Sequence, residues 1–229
     1  MYPHRIRLRG PWECEPLRRL GTDAPPPSRR AALPCRWADA GLADFAGRVR
    51  FRRRFGYPGR LDGDERVWLT CAGLSDTADV RLNDTALAER QTAPFEFDVT
   101  ALLRARNELE MDVEGGADGG VWGEVALEIR CTAFLRGATV RRTADGIEVS
   151  GEVVGVAERP LELYLLLDHR QAAYQVVEPA PEGRPFRLVG TCSEEDAGPQ
   201  SVQVDLVNGA TVWYTVNWGM GDTPASTGG

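Results

Sequence analysis

Apolar side chains recur along this chain at every second position rather than every third or fourth. Val49, Phe51 and Phe55 alternate with Arg50, Arg52 and Arg54; Val67, Leu69 and Cys71 alternate with Trp68 and Thr70. The same period runs through Ala78, Val80 and Leu82, then Leu109, Met111 and Val113, then Val125, Leu127 and Ile129. Each run predicts a strand with one buried and one wet face. Turn residues separate the runs: Tyr57, Pro58 and Gly59; Asp62, Gly63 and Asp64; Asn83 and Asp84; and the glycines between 115 and 120.

A second series of predicted strands covers 137–142, 147–156, 161–168, 172–177, 186–190, 201–207 and 211–218. Hairpin turns are expected at 143–146 and at Asn208 with Gly209. Seven short strands suit an immunoglobulin-like sandwich, although no Cys–Trp–Cys pattern accompanies them. Helix is scarce: its best candidate is a single turn at 99–104 capped by Asp98 or Thr100. Residues 16–36, with Pro25, Pro26 and Pro27, read as a long surface loop with a turn near 16–20. The chain is therefore expected to be all-β, with one sandwich over 1–131, a second over 132–218 and a disordered tail at 219–229.

Composition narrows the function. The formal charge of −7 opposes nucleic acid and anionic membrane surfaces. No run approaches the ~20 apolar residues of a membrane helix, and the first residues lack the apolar core of a secretory signal, so a cytoplasmic protein is expected. All 27 basic residues are Arg and isoleucine occurs only at 6, 129 and 147, a bias typical of GC-rich coding. Cys14, Cys35, Cys71, Cys131 and Cys192 have no CxxC spacing, and the two histidines are His4 and His169. Disulfide frameworks, zinc sites and histidine-based triads therefore lack material.

The first half also carries a familiar order of motifs: Val49 to Phe55, Arg66 to Leu69, Ala72 to Leu74, Val80 to Asn83, Pro94 to Thr100, Asn107 to Leu109 and Gly120 to Val125. In this it resembles the N-terminal sugar-binding domain of the family 2 glycoside hydrolases, the β-galactosidase, β-glucuronidase and β-mannosidase group. The resemblance implies a galactose-binding-like jelly-roll sandwich over 1–131, with 132–218 in the place of the family's immunoglobulin-like domain. Asn83 and Asp84 replace the family's usual Asn-Gly turn. The family's catalytic (β/α)8 barrel, which holds its two catalytic glutamates, takes ~200–250 residues, and nothing after Trp218 can supply it. No catalytic residue is therefore expected.

Carbohydrate recognition needs an aromatic plate for the apolar face of a sugar and planar polar groups for its hydroxyls. Trp122, flanked by Asp118 and Glu124, heads the candidates, followed by Trp37 and Tyr57. An aromatic beside glycines either closes the end of a sandwich core or meets a ligand. Asn83, Asp98 and Asn107 are structural candidates that satisfy backbone groups at turns. Arg48, Arg50, Arg52 and Arg54 are expected on a solvated, salt-paired face. Arg53, in phase with Phe51, is expected to be buried against a carboxylate. The acidic run Glu194, Glu195 and Asp196 reads as a solvated loop. No cofactor is expected, and a single Asp in 115–120 is too little to predict a structural cation. The expected role is that of a non-catalytic, carbohydrate-binding-like accessory protein. The alternatives are a scaffold that meets a partner or itself through the surface the barrel would cover, and a fragment of a β-glycosidase.

Overall fold

A computed structural model of the chain describes residues 3–19, 25–144, 146–191 and 199–219. The acidic run at 194–196, Cys192 and the tail from 220 lie outside the described residues. The chain divides into two units, Arg5–Ile129 and Arg130–Gly229, the latter with Met1–His4.

Among the described residues, the first series begins with β1 (His4–Arg7), β2 (Trp12–Arg19), β3 (Arg29–Ala31), β4 (Cys35–Arg36), β5 (Gly47–Gly56) and β6 (Glu65–Cys71). It continues with β7 (Ala78–Leu82), β8 (Thr85–Gln91), β9 (Phe95–Asp98), β10 (Arg106–Gly115), β11 (Gly120–Val121) and β12 (Val125–Cys131). They form a four-stranded sheet, β1-β12-β6-β9, a six-stranded sheet, β3-β2-β5-β10-β7-β8, and the small pair β11-β4. The six-stranded sheet turns one side of its pleat inward. Cys14, Phe51, Met111 and Val80 stand in one cross-strand row, and all are buried. Val49, Val113 and Ala78 make the next row.

The opposite side of the same sheet is a ladder of charge. Arg50 faces Asp112 in register and meets it through two hydrogen bonds, at 2.7 and 2.9 Å. Arg52 meets Glu110 at 2.8 Å, Arg54 meets Glu108 at 2.6 Å, and Arg48 bonds Asp79 and Asp112. The two-pronged bond to Asp112 raises the Arg50 pKa above its ordinary value, against the opposing effect of burial. Arg53 occupies the inner phase, opposite Leu109, but its partner is not the expected carboxylate: Nη1 donates to the Pro11 carbonyl at 2.8 Å.

Two buried asparagines tie β7, the turn before β10 and β10 itself together. Asn83 Nδ2 donates to the Leu102 carbonyl and to Asn107 Oδ1, while its Oδ1 accepts the Glu108 N–H at 2.9 Å. Asn107 closes a loop on Arg104, accepting its N–H and donating to its carbonyl, both at 2.8 Å. Asn83 and Asp84 have φ of 50° and 67°, so this pair makes the double left-handed turn for which Asn and Asp are suited. Asp98 Oδ1 accepts from the Thr100 N–H at 3.0 Å and heads a 3-10 turn, Thr100–Leu102, shorter than the helical turn expected at 99–104.

The expected loop over 16–36 needs correction, because it contains the end of β2 and the whole of β3 and β4. Trp12, Cys14 and Pro16 do alternate inward, but Pro16 sits where the register with β5 shifts, and that break hid the strand.

The strand ladders of the second unit run antiparallel. The unit comprises β13 (Ala133–Thr143), β14 (Gly146–Gly155), β15 (Leu161–Leu167), β16 (Arg170–Val177), β17 (Arg184–Thr191), β18 (Ser201–Asn208) and β19 (Thr211–Gly219). Its sheets are β13-β14-β17 and β16-β15-β18-β19, a three-plus-four arrangement of the immunoglobulin kind. Leu163 faces Leu206 and Leu165 faces Val204 across β15 and β18, all fully buried. The last hairpin turns at Gly209 and Ala210, one residue later than expected. Asn208 pairs with Thr211, and Gly209, with φ of 61°, takes the first turn position. No helix among the described residues is long and apolar enough to cross a membrane.

Two predictions follow from these networks. Asn107→Ala strands the Arg104 N–H and one arm of Asn83, and should cost about 2–3 kcal/mol in urea unfolding; a loss below about 0.5 kcal/mol would show the network to be incidental. Glu148 is bonded by Arg187 and Arg141, at 2.8 and 2.9 Å, which hold its carboxyl below the ordinary range. A carboxyl lowered by folding stabilises the fold above its unfolded pKa of about 4.3, and that contribution disappears as pH falls through the folded value. Glu148→Gln should therefore lower the Tm at neutral pH and converge on the unaltered protein in acid; a constant difference across that range would refute the linkage.

Candidate functional site

The loop after β10 is built to bring backbone close to backbone. Trp37 lies beneath it, wholly buried, with its ring edge-on to Phe45 at 5.2 Å. A Cβ added at Gly119 would fall 2.7 Å from the Trp37 ring, and one at Gly115 would fall 2.6 Å from Ser75 Oγ. At Gly120, with φ of 151°, it would fall 2.5 Å from the Cys35 carbonyl oxygen. The glycines between 115 and 120 are thus the space that Trp37, Ser75 and β4 require. As a sugar plate Trp37 must be corrected to a core residue, since no face of its ring reaches solvent.

Beyond Gly120 the chain is clamped onto 72–75. Gly120 N–H donates to Ser75 Oγ at 3.0 Å, Gly123 N–H to the Gly73 carbonyl at 2.8 Å, and Ala72 N–H to the Glu124 carbonyl at 2.9 Å. Between these anchors Trp122 lies on Gly73: a Cβ there would fall 2.1–2.6 Å from Cζ3, Cε3 and Cη2 of the indole. One side of the ring rests on the backbone at Gly73, and the residue is still 53% exposed. Glycine at 73 is what lets an indole lie flat against a backbone.

Glu124, two residues on, bonds Arg5 Nη1 at 3.0 Å and Arg7 Nε at 2.6 Å. Arg5 continues to the buried Glu128. A carboxylate in the loop before β12 and two guanidiniums on β1 thus meet at this end of the unit. Neither arginine was picked out from the sequence, because β1 is only four residues long and its alternation too brief to register. Asp118 is exposed on the 116–119 turn, where its carbonyl accepts from Arg36 Nη1 at 3.2 Å. Tyr57 is exposed but stands past the far end of β5, and the ten residues of that strand span about 30 Å. The structure therefore gathers Trp122 and Glu124 into one loop and leaves Tyr57 at the opposite end.

The described cysteines are buried and lie outside any disulfide. Burial pushes Cys14 up to about 12 and Cys35 and Cys71 up to about 11, so none of these three offers a thiolate near neutrality. Among the described residues, no group of three His, Cys, Asp or Glu side chains could hold a metal ion.

The glycine clamp makes opposite demands at two positions. Gly123→Ala sets its methyl 2.0 Å from the Gly73 nitrogen, a backbone clash expected to cost about 1–3 kcal/mol. The three atoms nearest a methyl at Gly73→Ala all belong to the exposed indole, which can swing aside, so stability should change by under about 1 kcal/mol while acrylamide quenching of tryptophan rises. Equal losses of stability in urea would contradict this reading of the clamp.

Comparison with known proteins places this geometry. Residues 44–118 match the family model described as glycosyl hydrolase 2 galactose-binding domain-like. No curated protein matches the chain. Among solved structures, a β-glucuronidase from Bifidobacterium dentium is 18% identical, with a TM-score of 0.69 over 94% of this chain and 48% of its own. The β-glucuronidase of Bacteroides uniformis is 16% identical, with a TM-score of 0.71 over 93% of this chain and 32% of its own. A glycosyl hydrolase family 2 member from Bacteroides cellulosilyticus is 16% identical, with a TM-score of 0.67 over 93% and 35%. At these identities the likeness is one of fold, and the chain spans less than half the length of each. Residues 44–118 thus resemble a galactose-binding-like domain of the glycosyl hydrolase 2 type, and the chain shares its fold with a part of each of these three enzymes.

Proposed function

We propose that this chain is a carbohydrate-binding module, without catalysis of its own, that offers Trp122 to the apolar face of a sugar ring. The observation that carries this reading is an indole seated on Gly73 with more than half its surface in solvent. A ring already held by the backbone loses little rotamer freedom on binding, so most of the contact energy appears as affinity. Glu124 supplies planar acceptors, and Arg5 and Arg7, which hold it, supply planar donors, both suited to hydroxyl groups.

A second reading is favoured by the chain's coverage of only 32–48% of the β-glycosidases it resembles. In that reading these residues are the front part of a β-glycosidase, and a catalytic domain is supplied by further sequence or by a partner chain. Hydrolysis of a chromogenic galactoside or glucuronide by the isolated 229 residues would overturn the non-catalytic reading.

The binding reading is tested by titrating tryptophan fluorescence with galactosides, glucuronides, mannosides and plant polysaccharides. A saturable change is expected with at least one of them. Trp122→Ala should abolish it, and Gly73→Ala should weaken it about tenfold or more, because the seat is lost while the ring remains. A response in Trp122→Ala equal to that of the unaltered protein, or no response to any sugar, would overturn the proposal.

A further inference from the structure

At the far end of β5 from the glycine loop, beyond the Glu13–Arg52 pair, an open cleft of about 660 Å3 remains beside Pro11 and Trp12. Its charge is one-sided. Five arginines line it, at 29, 30, 52, 53 and 54, against a single carboxylate, Glu13. Arg52 and Arg54 are committed to Glu110 and Glu108 at 2.8 and 2.6 Å. Glu13 lies 3.6 Å from Arg52 and stands in register between Arg30 on one side and Arg52 on the other. One carboxylate between two guanidiniums balances one of them at most. Among the described residues, Arg29, Arg30 and Arg53 have no carboxylate within ion-pair distance.

Arg53 is the unusual member. It sits in the inner phase of β5, one of its nitrogens bonds the Pro11 carbonyl, and its buried Nε has no hydrogen-bond partner. Burial also pulls this guanidinium below its ordinary pKa. A partly desolvated cation that lines an open cleft without a counter-charge of its own is a cost that folding leaves standing unless an anion approaches it.

We propose that this cleft binds a compact oxyanion, a phosphate or sulfate group free or as an ester, with Arg53 as its central contact and Arg29 and Arg30 as flanking charges. Three uncommitted cations match a dianion better than a lone carboxylate, and guanidinium forks suit its oxygens. The net charge of −7 repels an extended polyanion, so the ligand is a single group rather than a nucleic acid. The site is independent of Trp122 and would stand if the sugar plate failed.

The test is a thermal-shift and calorimetric titration of the whole chain with sodium phosphate and with sodium sulfate, against sodium chloride at matched ionic strength. A saturable rise in Tm with at least one dianion is expected, and the two arms identify which. Arg53→Met should weaken that binding at least about tenfold, since a charged hydrogen-bonding contact is lost. The same variant removes a buried charge that has no partner, so its ligand-free Tm should hold or rise, which separates loss of binding from loss of fold. Arg60→Gln, at a fully solvated arginine outside the cleft, should respond like the unaltered protein. Stabilisation no greater than that by chloride, an undiminished response in Arg53→Met, or an equal loss in Arg60→Gln would each overturn the proposal.

Discussion

The pairing of β5 with β10 is the constraint on which the first unit depends. Ten consecutive residues face one another, from Gly56 opposite Arg106 to Gly47 opposite Gly115. One side of that pairing is apolar, with Phe51 against Met111 and Val49 against Val113, and the other is the arginine–carboxylate ladder. A slip of one residue would turn either Arg50 and Arg52 of β5 or Asp112 of β10 into the core, where an unmatched charge costs several kcal/mol. Each rung of a half-exposed ladder contributes little stability in itself, about 1 kcal/mol or less. Its effect is to exclude the neighbouring registers. The arginines of β5 are best understood as what makes a two-faced strand unambiguous.

Both candidate sites inherit their position from that register. At one end, β10 finishes on Gly115, whose lack of a side chain leaves room for Ser75 and Trp37. The buried Trp37 then sets the height at which Gly119 and Gly120 cross β4, and the crossing hands the chain to Val121 and Trp122. The exposed indole is therefore placed by a core indole beneath the same glycine loop. At the other end, β5 outruns its partner β2, and the gap is where Arg53 finds a carbonyl instead of a carboxylate. A strand longer than its neighbour leaves unpaired edge, and here that edge is lined with cation.

Much of this was legible from alternation alone. Val67, Leu69 and Cys71, or Leu161, Leu163 and Leu165, can only be half-buried strands, because period two is a property of the pleat itself. What escaped was structure whose signal is interrupted or borrowed. Pro16 breaks the alternation of β2 at a register shift. β8 is polar and partly exposed through most of its length, so its place is set by hydrogen bonds to β7 and not by its own side chains. The last hairpin follows Asn208–Thr211 pairing, which moved its turn one residue past the Asn-Gly pair. Trp37 and Trp122 both stand near glycines in sequence, yet one is enclosed and the other exposed. That difference depends on which backbone segment each glycine admits, a long-range fact that local spacing does not contain.

Arginine shows how composition and position answer different questions. A coding bias accounts for having arginine at all 27 basic positions, and it predicts nothing about where a carboxylate will be found. The phase of the strand does. Arg50, Arg52 and Arg54 share the outer face with Asp112, Glu110 and Glu108, so the sheet supplies their partners by register. Arg53 is one residue out of that phase, opposite Leu109, and no acidic rung can reach it from β10. A cation in the apolar phase of a strand must therefore take its partners from outside the ladder. Pro11 supplies one, and no carboxylate among the described residues joins it. That missing counter-charge, fixed by the parity of a single position, is the reason for assigning recognition of an anion to a protein whose overall charge is negative.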